Sequence, residues 1–322
     1  MTERGKNLRK GEVIHSAMKE NNISIRKNSI TALSRGEERT AYLFIAPQIL
    51  GVLCFSLFPM IFSLFISFCK WDMMSAIRWR GLDNYIKIFS KKETWQIVRT
   101  TATYVVMHVP LSLLVGLLLA LGLNKAFPGC YLLRTAFYLP HITSSVAVSV
   151  IWSLMFQKES GVINSVLAFV GIQGPGWINS SDWSIPSIVI VTVWLASGHN
   201  MILLLAGLKS IDITYYEAAS IDGANSRQRF RHITLPMLTP TFFLIVCTGF
   251  IGSFQMFNEA YMLTGGGPGK SSTTLVLRIY QLAFQSFKMH EAAVYSWLLF
   301  AIVFVITIFQ FTMQKRWVNY DV

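Results

Sequence analysis

Charged residues are scarce in this sequence. Only 14% of its 322 residues are Asp, Glu, Lys or Arg, whereas about 25% is usual in soluble domains. A soluble surface needs those groups, so the deficit excludes an ordinary soluble globular protein. The charges are also unevenly placed, because residues 1–40 carry fourteen of them and residues 42–69 carry none. This segregation is typical of a membrane protein with polar ends.

Cysteine is also rare, and the four cysteines are far apart: Cys54, Cys69, Cys130 and Cys247. No Cys-x-x-Cys pair and no Cys/His ligand spacing is present, so the sequence indicates neither a zinc site nor a disulfide framework. We interpret the four as small, buried apolar residues.

Catalytic patterns are missing as well. Gly-x-Ser-x-Gly is absent, and His108, His141 and His199 fall in or near apolar segments without an acidic neighbour at a helical offset. We interpret these histidines as interior side chains, and we expect no enzyme and no metal site. The stretch GGGPGKS at 265–271 is similar to a phosphate-binding loop, but Thr264 stands where that motif needs its first glycine. We therefore interpret this stretch as a glycine-rich turn.

The formal charge of +12 does not indicate nucleic acid. The basic residues cluster beside apolar segments, where they fix topology and meet anionic lipid headgroups. We expect no nucleic-acid partner.

The sequence predicts an all-α integral membrane protein, because a helix needs roughly 20 apolar residues to cross the hydrocarbon core. The six predicted spans are 42–69, 101–123, 132–156, 187–208, 240–263 and 292–313. In the first, Pro47 and Pro59 predict kinks, and Pro140 is expected to interrupt the third. We expect a six-helix domain at 41–316 between cytoplasmic tails at 1–40 and 317–322. The first tail is not a signal peptide, since no apolar region follows its basic start. With both termini inside, the inner segments hold seventeen Lys and Arg and the outer ones eleven.

Between the first two spans, apolar residues recur at helical spacing: Trp79, Leu82, Tyr85, Ile86 and Phe89. Lysines fall on the other side. The pattern predicts an amphipathic helix at the membrane interface or an ordinary amphipathic connector.

The inner segment 209–239 is unusual for a connector. It begins with good helix-forming residues, and Gly223 is expected to end that helix because glycine accepts a left-handed backbone. Ser226 is then expected to cap a second helix, which Pro236 ends. Two short exposed helices are marginal alone. The pattern predicts either an ordinary inner loop or a helical unit that docks in a groove of a partner protein.

The residues of this segment decide between those interpretations. The sequence EAASIDGANSRQRFRHITLPML at 217–238 resembles the EAA loop of bacterial ABC importer permeases, in particular the carbohydrate uptake family with the maltose and glycerol-3-phosphate permeases. Three further motifs are similar to that family: GLDNY at 81–85, LR and YLP within 133–140, and LTGGGP at 263–268. The resemblance covers roughly residues 40–316.

The resemblance implies the type I importer fold and a transport subunit of the bacterial inner membrane. The implied partners are a second, homologous permease in a heterodimer, two ATPase subunits that bind ATP and magnesium, and a periplasmic or lipid-anchored solute-binding protein. No cofactor is implied in this chain. The residues implied to couple to the ATPase are Glu217, Ala218, Ala219, Asp222, Gly223, Leu235 and Pro236.

Polar residues in the predicted spans are candidates for a substrate path, because an ionisable or polar group at membrane depth usually faces a cavity or a partner. In the fifth span the candidates are Ser253, Gln255, Asn258, Glu259 and Tyr261. Gln255 and Glu259 are four apart and are expected to share a helix face. The register of the resemblance adds Thr192, His199 and Met256, and Trp194 and Asn200 offer a stacking face and an amide. A role in joining two permeases is the alternative for these residues.

The predicted function is ATP-dependent, binding-protein-dependent import of a sugar or oligosaccharide by alternating access. The alternatives are an ion-gradient-driven secondary transporter, a permease for a non-sugar solute such as glycerol-3-phosphate, and a membrane scaffold that transports nothing. A secondary transporter usually shows internal repeats and embedded carboxylates, and here only Glu259 is available.

Overall fold

The computed structural model describes residues 40–125 and 127–319. The predicted tail at 1–40 therefore lies outside the described residues except for its last residue, and the second half of the tail at 317–322 lies outside them as well. The chain divides into two units, Met1–Ser63 and Leu64–Val322. Helix α1, Thr40–Ser67, begins in the first unit and ends in the second. It contains a π-helical turn at Leu53–Leu57, directly before Phe58 and Pro59.

The regular secondary structure that is described in the second unit is helical apart from one short hairpin. Strands β1 (Cys69–Lys70) and β2 (Arg78–Trp79) pair antiparallel. The helices that follow are α2 (Asp83–Phe89), α3 (Lys92–Leu123), α4 (Cys130–Ile142), α5 (Ser145–Met155), α6 (Val162–Phe169), α7 (Ser184–Ser210), α8 (Ile213–Ile221), α9 (Ser226–Met237), α10 (Thr239–Phe254), α11 (Asn258–Thr264), α12 (Leu275–Tyr280) and α13 (Met289–Trp317). A 3-10 turn at Trp177–Asn179 precedes α7, and a π-helical turn at Gln281–Gln285 follows α12.

Among the described residues, four helices are long and apolar enough to cross a membrane: α1, α3, α7 and α13. The number rises to six if each of two bent pairs forms one span. Those pairs are α4 with α5, bent by 96°, and α9 with α10, bent by 56°. A mostly helical fold with four to six candidate membrane helices is confirmed, and six spans stay a prediction.

Helix α7 is the centre of the second unit, because small residues let three other helices approach its backbone. Gly198 lies against the backbone of Phe137 in α4. Gly116 of α3 lies against Asn200, where an added Cβ would come within 2.6 Å of the Asn200 Cβ. Gly207 lies beside Thr241 of α10. Three helices therefore pack closely around α7.

Four apolar clusters lie among the described residues of the second unit, and the smallest contains Phe243, Cys247 and Val318. One cluster surrounds Tyr104, Trp177 and Ile188, and a second cluster surrounds Leu204 and Leu238. The third joins α2, the start of α3 and the start of α13; its fully buried members include Ile88, Ile97, Leu275 and Val294. The first two clusters occupy different halves of α3 and α7, so the middle of these helices is left for polar side chains.

Several predicted boundaries differ from the structure. The third span breaks at Thr143 and Ser144, which adopt extended backbone angles, and not at Pro140, which lies inside α4. The fifth span also breaks, because Phe257 leaves the helical region at φ −130° and separates α10 from α11. Cys54 is exposed, whereas the other three cysteines are buried as predicted.

The predicted amphipathic helix before the second span exists as α2, but it is shorter. Trp79 lies on β2 and not on the helix. The buried residues of α2 are Asn84 and Ile88, and the Asn84 amide donates to the carbonyls of Ser67 and Cys69 at 2.9 and 2.6 Å. These bonds hold α2 against the end of the preceding span.

Candidate functional site

The segment between α7 and α10 folds as two short helices at a turn. The Asp212 carboxylate caps α8 by accepting from the Thr214 backbone N–H at 2.9 Å. Helix α8 ends at Asp222, and Gly223 follows with φ +79°, a left-handed angle that favours glycine. Glycine therefore makes the sharp turn, as the sequence predicts.

The second helix differs from the prediction at both ends. Asn225, not Ser226, is its cap, and Gln228 returns the bond to complete a capping box with distances of 2.9 and 2.8 Å. Pro236 does not end the helix, which continues to Met237. A π-helical turn at Phe230–Thr234 precedes the proline and changes the local hydrogen-bond pattern, so the missing N–H is accommodated.

The two helices hold each other through polar contacts. The Tyr216 hydroxyl and the Thr234 hydroxyl are 3.0 Å apart, and the Arg229 guanidinium donates to the Ser220 hydroxyl at 3.0 Å. Helix α8 itself has no buried residue. It exposes Ile221 at 88% of its surface, which is costly for an apolar side chain in water.

The residues predicted to couple to an ATPase are distributed over this exposed unit. Glu217, Ala218, Asp222 and Gly223 are exposed, and Ala219 is partly buried. Leu235 and Pro236 are partly buried in α9. Among the described residues, Glu217 has no cation within ion-pair distance.

A cavity of about 380 Å³ lies halfway along α3 and α7, within the size range of small-molecule sites. The residues that line it come from five helices and one turn: Tyr104, His108, Ser112, His141, Thr192, Leu195, Ala196, His199, Asn200, Ile245, Thr248, Gly249, Gly252, Ser253, Met256 and Glu259. Glu259 is the one carboxylate among them, and none is Lys or Arg.

Polar contacts within the cavity wall fix several of these side chains. The His108 Nδ1 and the Ser253 hydroxyl are 2.9 Å apart and connect α3 to α10. The His108 ring also stacks on Tyr104 with centroids 5.4 Å apart. The rings of His141 and His199 stack at 4.5 Å and connect α4 to α7. Imidazole and phenol edges offer hydrogen bonds, and their faces offer contact to apolar surface.

Six of the ten predicted substrate-path residues line this cavity: Thr192, His199, Asn200, Ser253, Met256 and Glu259. Asn200 and Thr192 come from α7, and Glu259 comes from the first turn of α11. The structure thus brings together residues that are far apart in the sequence. Their contact with substrate stays a prediction.

The other four lie outside the cavity lining. Trp194 packs edge-to-face on Trp152 at 5.8 Å. Asn258 donates to the Ser145 hydroxyl at 3.0 Å, Tyr261 stacks on Phe257, and Gln255 is exposed. The predicted shared face of Gln255 and Glu259 is wrong, because the helix breaks between them.

Residues of α3 were missing from the predicted path. Tyr104, His108 and Ser112 are spaced four apart and point into the cavity. That periodic row of polar residues in an apolar span is a signal the sequence contained. His141 joins the lining only because of the bend between α4 and α5, which no local pattern indicates.

The glycine-rich stretch after α11 is a turn. Gly265 and Gly266 have φ of +60° and +91°. The hydroxyl of Thr273 donates to the Gly266 carbonyl at 3.0 Å, and that of Ser272 donates to the Gly267 carbonyl at 2.6 Å. The turn thus closes on its own chain and follows a helix, whereas a phosphate loop follows a strand.

Comparison with known proteins gives concordant results. The family model of the binding-protein-dependent transport system inner membrane component matches residues 96–317. The probable ABC transporter permease protein YesP of Bacillus subtilis is 41% identical over 89% of this chain and 94% of its own length. The lactose transport system permease protein LacF of Rhizobium radiobacter is 35% identical over 89% of this chain and 98% of its own.

The fold is also similar to a solved structure. A chain of a bacterial ABC transporter involved in the import of the acidic polysaccharide alginate superposes with a TM-score of 0.77. The superposition covers 87% of this chain and 96% of the other, at 24% sequence identity. This likeness shows the type I importer permease fold.

The family model covers more than half of the chain, and both relatives match it over nearly their full length. The predicted resemblance is confirmed, and so is the prediction of a transport component and not an enzyme. This chain belongs to the family of inner-membrane permease components of binding-protein-dependent ABC transport systems.

Proposed function

We propose that this chain forms half of the path by which a bacterial importer moves a sugar or oligosaccharide across the inner membrane. The observation that carries the proposal is the cavity at the middle of α3 and α7, where polar side chains and aromatic faces surround a space of about 380 Å³. Sugars need both kinds of contact, because their hydroxyls form hydrogen bonds and their C–H faces pack on rings. The lactose permease relative supports a sugar as the substrate.

The charge of the cavity favours a neutral sugar over an anionic solute. Glu259 is its single carboxylate, and no Lys or Arg lines it. A phosphate or carboxylate substrate would lack a cationic partner there and would face Glu259. This argues against glycerol-3-phosphate. Membership of a binding-protein-dependent family argues against an ion-gradient-driven transporter.

The cavity is tested by filling it. Gly252 lines the cavity, and a Cβ added there meets no atom within 4 Å, so Gly252→Trp introduces a bulky side chain at the cavity wall without a clash at its Cβ. Gly122 in α3 is also open and does not line the cavity, so Gly122→Trp is the matched control. In proteoliposomes with the ATPase and the solute-binding protein, we expect Gly252→Trp to abolish uptake of labelled sugar and Gly122→Trp to retain it. Equal uptake by the two variants would refute the proposal.

We further propose that α8 and α9 dock in a groove of an ATPase subunit. A nine-residue helix is too short to be stable alone, and α8 exposes Ile213, Tyr215 and Ile221. A partner would cover these side chains and pair with the Glu217 carboxylate. Closure of two ATPases would then move the docked unit and shift the permease pair between inward-facing and outward-facing states.

Docking is tested by charge reversal at Glu217. Loss of a charge-assisted hydrogen bond costs about 1.5–3 kcal/mol, so Glu217→Arg is expected to weaken ATPase binding by tenfold or more. Glu159 lies in another exposed turn, and Glu159→Arg is the control. The amount of ATPase that copurifies with the full chain is measured. Undiminished copurification with Glu217→Arg would show that the unit does not dock.

The proposed topology has six spans with both ends in the cytoplasm, so that α8 is inside and the turn before α6 is outside. A membrane-impermeant thiol reagent is expected to label Ser160→Cys in intact cells and Ser220→Cys only after the inner membrane is opened. The cysteines in the native chain are first replaced by serine. The opposite labelling pattern would overturn this orientation.

A further inference from the structure

An aromatic belt surrounds one end of the second unit. We give this name to six rings: Phe65, Phe68, Trp79, Tyr85, Phe89 and Trp95. Neighbouring ring centroids are 5.3 to 6.4 Å apart. The belt runs from the end of α1 across β2 and α2 to the first turn of α3. It therefore connects the end of α1 to the start of α3.

The belt is not buried within the chain. Trp79 is 65% exposed and Trp95 is 56% exposed, and the neighbouring Ile86 is 63% exposed. The Trp95 indole N–H donates to the Phe89 carbonyl at 2.9 Å, so its polar group is satisfied and its ring presents apolar surface. Tryptophan in this position is typical of the boundary between hydrocarbon and headgroups.

Cations accompany the belt in excess. Residues 70–99 contain seven Lys and Arg and three Asp and Glu. Of the acids, Glu93 already binds Lys270 and Arg278, both at 2.9 Å. Asp72 accepts from the Ser75 hydroxyl and backbone N–H at 2.6 and 2.7 Å.

The cations beside the two tryptophans are exposed: Arg78, Arg80, Lys92 and Arg99. None of them has an ion pair with another described residue. Arg78 and Arg80 flank Trp79 on β2, and Lys92 begins α3. The belt therefore lies beside a set of positive charges that the described part of the chain does not neutralise.

Arg99 identifies the kind of partner. It follows Trp95 by four residues, so it lies on the same face of α3 and about 6 Å further along the helix toward the membrane centre. A cation below the tryptophan level is costly in hydrocarbon unless its long side chain reaches back to the interface. With Trp95 at the headgroup boundary, a lipid phosphate is an anion that the long Arg99 side chain can reach.

We propose that the aromatic belt and its four cations bind anionic phospholipid of the adjacent leaflet, with the rings at the headgroup boundary and the guanidinium groups on the lipid phosphates. The surface would select a lipid with net negative charge, such as phosphatidylglycerol, over zwitterionic phosphatidylcholine. Electrostatic attraction between the four cations and the net negative charge of the lipid supplies this selection. The aromatic rings fix the depth and orientation of this surface in the membrane.

The test counts lipids bound to the purified full chain by native mass spectrometry, in titrations with phosphatidylglycerol or phosphatidylcholine. We expect the native chain to prefer phosphatidylglycerol. The double variant Arg80→Gln, Arg99→Gln should lose this preference by about fivefold for each cation removed. Lys158→Gln, which removes an exposed lysine from the turn before α6, should keep it.

The conservative variant Arg80→Lys, Arg99→Lys keeps the charge and should restore the preference, which separates lipid binding from a folding defect. Equal binding of both lipids by the native chain would overturn the proposal. So would a double glutamine variant with unchanged lipid preference. Reduced recovery of the assembled transporter at unchanged lipid preference would instead assign the belt to a protein interface, and the proposal would again be wrong.

Discussion

Replacing Gly198 by alanine tests the packing that holds the cavity wall together. Gly198 lies where α7 crosses α4, and its missing side chain lets the two backbones touch. An added Cβ would overlap the Phe137 carbonyl and come within 2.8 Å of the Tyr138 Cα. These neighbours are backbone atoms, so no side-chain rotation relieves the clash, and α4 must move away from α7.

The free-energy cost of this clash is obtained by comparing the stability of Gly198→Ala with that of Gly252→Ala. Both substitutions exchange glycine for alanine inside a helix, which favours the helix by about 0.5–1 kcal/mol in each case. Overpacking of a dense core costs about 1–3 kcal/mol, and only Gly198→Ala incurs it because Gly252 has open space. Gly198→Ala is therefore expected to be less stable than Gly252→Ala by about 1–3 kcal/mol.

The assay is thermal unfolding of the two purified variants in the same detergent, followed by uptake in proteoliposomes. About 1 kcal/mol shifts Tm by about 2–4 °C in domains of 150–250 residues, so the difference is measurable. Uptake should also fall in Gly198→Ala, since His199 is the next residue and its ring stacks on His141. If the two alanine variants unfold at the same temperature, the backbone contact is not tight and the packing argument is wrong.

Other predictions concern caps and one buried amide. Asn225→Ala removes a capping box and is expected to destabilise α9 by about 1 kcal/mol, whereas Asn225→Ser keeps a cap; hydrogen exchange of the α9 amides measures both, and equal protection in the two variants contradicts the capping role. The pKa of the Asp212 carboxyl lies below its ordinary value of 3.8, because the ionised group accepts hydrogen bonds from the Thr214 backbone N–H and hydroxyl. A lowered folded pKa stabilises α8 above the unfolded pKa, and this contribution is lost as pH falls through the folded value. The protection factors of the α8 amides, which correct for the intrinsic pH dependence of exchange, should thus be constant near neutral pH and fall only below 3.8, and Asp212→Asn should remove the acid-induced fall. The Trp177 indole N–H donates to the Asn164 amide oxygen at 2.6 Å in a buried site; Asn164→Leu leaves that donor unpaired and should cost about 1–3 kcal/mol, seen as a lower Tm than that of Asn164→Asp, which keeps an acceptor.

Composition and motifs are enough to predict the class of the protein and the nature of its segments. Long apolar runs with few charges specify membrane helices because the bilayer requires them locally. The turn at Gly223 follows from one residue's backbone freedom, and its predicted position agrees with a φ of +79°. The motifs at 217–238 and 263–268 sufficed to identify the family, which the comparisons confirmed.

The positions where helices break were less predictable, because a proline or a pair of polar residues can either lie inside a helix or end it. Pro140 and Pro236 both lie within helices, while Thr143 and Phe257 lie where helices stop. Neighbouring elements decide between these outcomes. The same reason explains why Gln255 and Glu259 do not share a face.

Which polar residues contact each other depends on how the helices pack. His141 and His199 are brought to 4.5 Å by the close approach of α4 and α7 at Gly198, and His108 meets Ser253 across α3 and α10. These contacts join residues 58 to 145 positions apart in the chain. The periodicity of a single helix gives no information about contacts over such sequence separations. Composition and periodicity act within one helix, whereas a cavity is made by the packing of several.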